Sequence, residues 1–199
     1  MQEGKTVRSN RQRTAATRAA LLSAARSLFA AKGYAETGTP EIVAQAKVTR
    51  GALYHHFRDK ADLFRAVVEA EAAGVTEAIA QRTAGLEDPL LALRLGADGY
   101  FDAMAVPGRA RLLLLEGPVV LGIAQMERID RATGGGTLLE GLAMARDQGR
   151  IGDLPLEALA GLLSAAFDRA ALAIAQGGDA AAYRKAVRLL VDGLTGQRA

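Results

Sequence analysis

Two short stretches with helix-start chemistry, set about three residues apart, constrain this chain more than any other feature. Thr39-Pro40-Glu41 supplies a hydroxyl that can cap, a proline tolerated in a first turn, and a carboxylate suited to the positive helix end. That helix can reach only about Ala46, because Val48-Thr49 opens a second capped start ahead of Arg50 to Phe57. Short helices so spaced have the layout of a helix-turn-helix, here over about residues 38–57.

The flanks are helical as well. Leu22, Ala25 and Phe29 recur at spacings of three and four, with Leu21 and Leu28 widening the stripe. Lys32-Gly33 then offers a cationic last turn and a left-handed terminus, so a first helix is expected over Thr14 to Lys32. Residues 1–13 are polar, basic and aperiodic, and read as a disordered arm whose Arg8, Arg11 and Arg13 could reach a minor groove. A long helix is expected from Lys60 towards Arg82, followed by segments at 86–104, 109–116, 118–132, 138–149, 155–176 and 179–194. Gly134-Gly135-Gly136 lacks the residues of a phosphate loop and reads as a flexible connector or helix break. With no alternating strand pattern, the expected fold is all-α: a three-helix module over 14–60 and a larger helical domain over 61–199.

Charge divides the chain at the same place. Residues 1–65 carry 12 Lys/Arg against 5 Asp/Glu, a net +7, whereas residues 66–199 carry 13 against 17, a net −4. Clustered cations suit phosphate neutralisation, so the basic third reads as a nucleic-acid module joined to a module of another kind; membrane headgroups would attract the same charge. The absence of cysteine excludes a disulfide framework or thiolate site and makes a reducing cytoplasm the simplest location. The apolar run Leu112 to Ile123 is broken by Glu116 and Pro118, so no membrane span is expected from it, and the N-terminus does not read as a signal peptide.

At roughly 100° per residue, Arg50, Gly51, Tyr54, His55 and Arg58 share one side of their helix, while Ala52, Leu53, His56 and Phe57 share the other. The second set seats the helix. The first offers cationic, hydroxyl and imidazole groups around a glycine whose missing side chain would let the backbone approach base edges; the plain alternative is a weak helix residue. His55 and His56 are adjacent rather than four apart, which argues against a two-histidine metal site.

These residues carry a resemblance. Leu28-Phe29-Ala30-Ala31-Lys32-Gly33-Tyr34, then Thr37 to Val43, then Val48 to Phe64 with Leu53-Tyr54-His55-His56-Phe57 and Lys60-Ala61-Asp62-Leu63-Phe64 at its centre, make residues 15–65 similar to the TetR-type transcriptional repressors. The resemblance implies that Thr39 and Thr49 cap helices and touch phosphates, that Arg50 and Gly51 read bases, that Tyr54 and His56 bond phosphates, and that Lys60 meets the DNA backbone. Two departures stand out. Gly38 replaces the usual Ser or Thr, so the cap either moves to Thr39 or is lost. Lys47 replaces the usual turn glycine, where a left-handed backbone would cost on the order of 1 kcal/mol; it is either a phosphate contact or an exposed turn residue. His56 has two readings as well, phosphate contact or core edge.

The resemblance also implies function. DNA-binding residues would be Thr39, Lys47, Thr49, Arg50, Gly51, Tyr54, His55, His56 and Lys60, acting on a palindromic operator without cofactor or metal. Beyond residue 65 the aromatics are Tyr100, Phe101, Phe167 and Tyr183, so an effector cavity is expected to be largely aliphatic, with Tyr100, Phe101, Met104 and Phe167 as candidate lining. Arg109 and Arg111 either steady an acidic ligand or are solvated surface cations. Operator symmetry calls for a homodimer, expected through 155–194, with Leu159, Leu162, Leu163, Ala166, Phe167, Ala170, Ile174, Leu190 and Leu194 as its apolar face. An enzyme is not expected, since both histidines lie in the DNA module and no paired catalytic motif is evident. The competing reading is a DNA-binding protein of the same fold that answers to a protein partner or to no ligand.

Overall fold

The computed structural model describes the backbone of residues 3–196 and the side chains of residues 10–195. Helices α1 (Glu3–Lys32), α2 (Thr39–Ala46) and α3 (Arg50–His56) form the N-terminal module, and α4 (Lys60–Thr83) leads out of it. Then come α5 (Pro89–Met104), a π-helical segment (Arg111–Glu116), α6 (Gly117–Leu121), α7 (Ile123–Arg131), α8 (Gly134–Asp147), α9 (Leu156–Ala175), α10 (Ala180–Gly193) and a short 3-10 turn, Leu194–Gly196. No strand occurs among the described residues.

The short helices end and begin where local chemistry places them. Thr49 and Asp59 accept backbone N–H bonds from Ala52 and Asp62, while Gly33 turns left-handed (φ 92°) to close α1. The boundary drawn at residue 60 coincides with the start of α4, yet α4 belongs to both modules. Phe64 stacks edge-on against Phe29 and Tyr34, both at 5.1 Å, whereas Val75 and Ile79 join the core of the larger bundle. One continuous apolar core therefore runs from Leu21 to Val191.

Several expectations need correction. Residues 3–13 are helical rather than a disordered arm: α1 begins at Glu3, and its added turns contain good helix formers and no proline. Met1 and Gln2 of that predicted arm, and the Arg8 side chain, lie outside the described residues; Arg11 and Arg13 are exposed. Gly134 to Gly136 start α8 instead of breaking the chain, because the Thr137 N–H bonds the Thr133 carbonyl (3.2 Å) and the Asp130 carboxylate takes the Gly135 N–H. The segment expected over 118–132 is divided at Gly122, whose φ of 83° separates α6 from α7.

The segment expected at 109–116 is a π-helix, with the Gly117 N–H bonded to the Leu112 carbonyl. Pro118 follows, and in an ordinary α-turn its ring would press on the Leu114 carbonyl; the wider turn relieves that crowding. Helix α9 is long and apolar enough to cross a membrane by length and composition alone. Here its inward face, including Leu163, Phe167 and Ala170, is packed in the core.

Candidate functional site

Ile42 of α2 and Leu53 of α3 are fully buried beneath the helix-turn-helix, which fixes the opposite face of α3 towards solvent. Arg50, Gly51, Tyr54, His55 and Arg58 are all exposed, as are Lys47 and Thr49, while Leu53 and Phe57 are buried and Ala52 and His56 half-buried. The wheel drawn from the sequence thus matches the exposure pattern. Lys47 adopts the left-handed conformation (φ 55°, ψ 42°), and is the only non-glycine residue with positive φ among those described. The Val48 N–H bonds the Val43 carbonyl at 3.1 Å, so the turn is held despite the missing glycine.

Gly38 occupies the cap position of α2 with no side-chain bond, so the cap is lost rather than moved to Thr39. Thr39 faces α3 instead. Its hydroxyl first, then the Arg50 guanidinium, hold the exposed Tyr54 phenol below its ordinary range. Arg50 also lies over the Tyr54 ring at 5.5 Å. Thr49 caps α3 by accepting from the Ala52 N–H at 3.2 Å, which leaves its own O–H available to an outside acceptor.

Gly51 is informative because a Cβ built there meets nothing closer than the Thr49 hydroxyl, 3.9 Å away. The fold has room for a side chain. Its absence leaves space for something outside the chain.

Two predicted contacts are engaged elsewhere. The Lys60 ammonium donates to the carbonyls of Tyr34 (2.9 Å) and Thr37 (3.0 Å) and sits 4.1 Å from the Tyr34 ring centre. It ties the α1–α2 corner to α4, and only its third N–H is uncommitted. His56 is half-buried beside Phe57, and burial, followed by the charges of His55 and Arg18, keeps its imidazole below the ordinary value. That environment favours the core-edge reading.

Arg109 and Arg111 are both engaged within the chain, although the Arg111 side chain remains 42% exposed. Arg109 bonds Glu71 (2.8 Å) and the Ala103 carbonyl (2.9 Å); Arg26 of α1 bonds the same Glu71 (3.3 Å) and the Pro107 carbonyl (3.0 Å). Burial acts to raise the Glu71 carboxyl, but the two arginines outweigh it and hold it below the ordinary range. Arg111 pairs with Glu116 (2.8 Å) and bonds the Lys32 carbonyl, and Glu116 accepts the Tyr34 N–H at 2.7 Å. The π-helical segment thus grips the end of α1 with its two charged ends.

Of the leucines between those ends, Leu112 and Leu113 are buried and Leu114 half-buried, while Leu115 is exposed. Leu113 and Leu114 line a cavity of about 290 Å³ with Val75, Tyr100, Met104 and Met126, and a second hollow of about 240 Å³ is walled by Ile79, Leu93, Leu138 and Phe167. The two share Tyr100, Asp130 and Gly134. Of the candidate lining residues, Tyr100 and Met104 line the first hollow and Tyr100 and Phe167 the second. Phe101 lines a third hollow with Met104, Ala171 and Ile174, under Arg184. The sequence reading also missed Asp168, which accepts the Tyr100 hydroxyl at 2.6 Å; a lone acid on an apolar helix was the available signal.

The predicted dimer face divides in two. Leu163, Phe167 and Ala170 are buried inside the monomer, whereas Leu162 is 73% and Leu190 52% exposed; Leu189 of α10, which the sequence reading did not include, is 61% exposed.

Residues 21–67 match the family described as bacterial regulatory proteins, tetR family, and residues 90–196 match the tetracyclin repressor-like C-terminal domain. The transcriptional regulator AcrR of Shigella flexneri is 35% identical over 108 residues, covering 54% of this chain and 50% of that protein. The transcriptional repressor BepR of Brucella suis is 40% identical over 62 residues, 31% of this chain and 30% of its own length. The chain thus spans half or less of the length of these curated relatives. A TetR-family regulator from Pectobacterium atrosepticum has a crystal structure that aligns with a TM-score of 0.75 at 33% identity, over 93% of this chain and 97% of that one. Its helices, its helix-turn-helix and both matched domains place the chain in the TetR family of DNA-binding transcriptional regulators.

Proposed function

We propose that this chain is a repressor that holds a palindromic operator as a homodimer and releases it when a small molecule fills the cavity beside the π-helical segment. The observation that carries the reading is the outward face of α3, where Arg50, Tyr54 and His55 surround the open space at Gly51. Arg50 and Gly51 read base edges in the major groove, and Thr39, Lys47, Thr49 and Tyr54 fix the backbone. Repression rather than activation follows the Brucella relative, whose name is that of a repressor. Cytoplasm is the compartment that fits this work.

One recognition helix reaches few base pairs, so two copies must stand about one DNA turn apart. Leu162, Leu189 and Leu190, exposed on the neighbouring helices α9 and α10, supply the self-complementary apolar face. Effector binding is coupled to α1 because one six-residue segment touches both: Leu113 and Leu114 line the cavity while Arg111 and Glu116 hold Lys32 and Tyr34. A ligand that prefers a shifted π-helical segment thereby shifts the recognition helices.

Fluorescence anisotropy on operator and scrambled duplexes tests the reading. Replacing Arg50 by Ala lowers operator affinity by about 10- to 100-fold and affects the scrambled duplex far less. Equal affinity of the variant and the unaltered chain for the operator would remove the assignment.

A further inference from the structure

The cavity walls have an unusual charge pattern. Every charged residue lining the two hollows is acidic: Glu127, Asp130, Glu140 and Asp168. The rest of the lining is mainly apolar, with Tyr100 and Phe167 as its aromatic surfaces and the hydroxyls of Thr83, Thr133, Thr137 and Ser164 as its neutral polar groups. Asp130 lines both hollows and Asp168 the first.

Comparison with Glu71 shows what is missing there. Glu71 is satisfied by Arg26 and Arg109. Asp168 accepts a hydroxyl from Tyr100, and Asp130 a backbone N–H from Gly135, but among the described residues neither forms an ion pair with Lys, Arg or His; the Arg131 charge acts on Asp130 without bonding it and is outweighed by burial. A carboxylate withdrawn from water without a cation is costly to keep ionised. Burial accordingly pushes the Asp168 carboxyl up to about 6, with the neighbouring Asp130 charge adding to it.

Resting on the reading of this cavity as an effector site, we propose that it takes an organic cation: an amine whose ammonium sits between Asp130 and Asp168 and whose aliphatic body fills the apolar hollows. The ammonium supplies the paired cation both carboxylates lack, and the faces of Tyr100 and Phe167 favour positive charge. An anionic ligand of the same shape meets four carboxylates and no base. It is excluded by the same walls.

Three probes sharing one eight-carbon chain separate charge from hydrophobicity: n-octylammonium, 1-octanol and n-octanoate, titrated calorimetrically into the full chain. The expected order is octylammonium at least tenfold tighter than octanol, with octanoate weakest. Asp168→Asn and Asp130→Asn, tested separately, should each bring octylammonium down to the level of octanol while octanol itself is unchanged. Circular dichroism and melting verify that each variant is folded, and Asp147→Asn, a surface acid outside the cavity, should change nothing. The proposal is overturned if octanol or octanoate binds as tightly as octylammonium, if none of the three binds, or if both cavity variants keep the full preference. Operator anisotropy with octylammonium present separates the two readings. Binding without release of DNA would sink effector-controlled repression and leave the ligand class standing.

Discussion

The outward face of α3 and the interior behind the π-helical segment treat polar groups in opposite ways. On α3, Arg50, Tyr54 and His55 stand in solvent around an open Gly51, and no part of the fold depends on Gly51 lacking a side chain. In the interior, charges are committed: Glu71 to two arginines, Glu116 to Arg111 and the Tyr34 N–H, and Lys60 to two carbonyls. Asp168 is inside but resembles the surface set, since a tyrosine hydroxyl is all it holds. Groups committed within the chain build it, and groups left uncommitted await something from outside.

The largest effect should come from breaking a committed group. Replacing Glu71 by Gln leaves Arg26 and Arg109 without their shared counter-charge in a half-buried setting, and should cost about 3 kcal/mol in urea unfolding. A loss below about 1 kcal/mol would show that the clasp is ornamental and blur the distinction drawn above.

Asp168→Asn should act in the reverse direction. An acid whose folded value is raised binds its proton more tightly when folded, so stability falls as pH rises from the unfolded value near 3.8 through about 6. Asparagine still accepts the Tyr100 hydroxyl but carries no charge beside Asp130 and Glu127. The variant should therefore melt higher at pH 7.5, by about 3 kcal/mol of stability, and the gap should close below about pH 4. A pH-independent difference would mean that Asp168 is committed after all.

Lys60→Met tests a residue that the sequence assigned to DNA. Removing the ammonium takes a donor from the Thr37 carbonyl and leaves the Tyr34 carbonyl with only the Thr37 N–H at 3.3 Å, and should cost about 1–2 kcal/mol of stability in addition to any loss of operator binding. Unchanged melting together with a flattened salt dependence of DNA binding would return Lys60 to the phosphate contacts alone.

Gly51→Ala has the smallest effect on folding and the cleanest meaning. Alanine suits a helix better by about 1 kcal/mol, and the site has room for it. The variant should melt slightly higher and yet bind operator at least about tenfold more weakly, since the methyl would occupy space reserved for a base edge. Undiminished binding would leave the glycine as a plain weak helix residue.

What could be read from the sequence was local. The start of α3 and the outward set on its face follow from capping chemistry and a 3.6-residue period, which act within a few residues, whereas the left-handed turn at Lys47 was legible only through the family's usual glycine there. The family resemblance was legible for the same reason, because a recognition helix and its turn are contiguous in the chain. Tertiary structure decided everything that depends on distant partners. Arg109 meets Glu71 across 38 residues, Tyr34 meets Glu116 across 82, and Tyr100 meets Asp168 across 68, and no local rule relates such positions. It also decided which side of α9 faces out. Leu162 and Leu163 are both leucines in an apolar helix, and periodicity cannot rank two faces that are alike in hydrophobicity; only the packing of α9 against its neighbours buried Leu163 and left Leu162 in solvent.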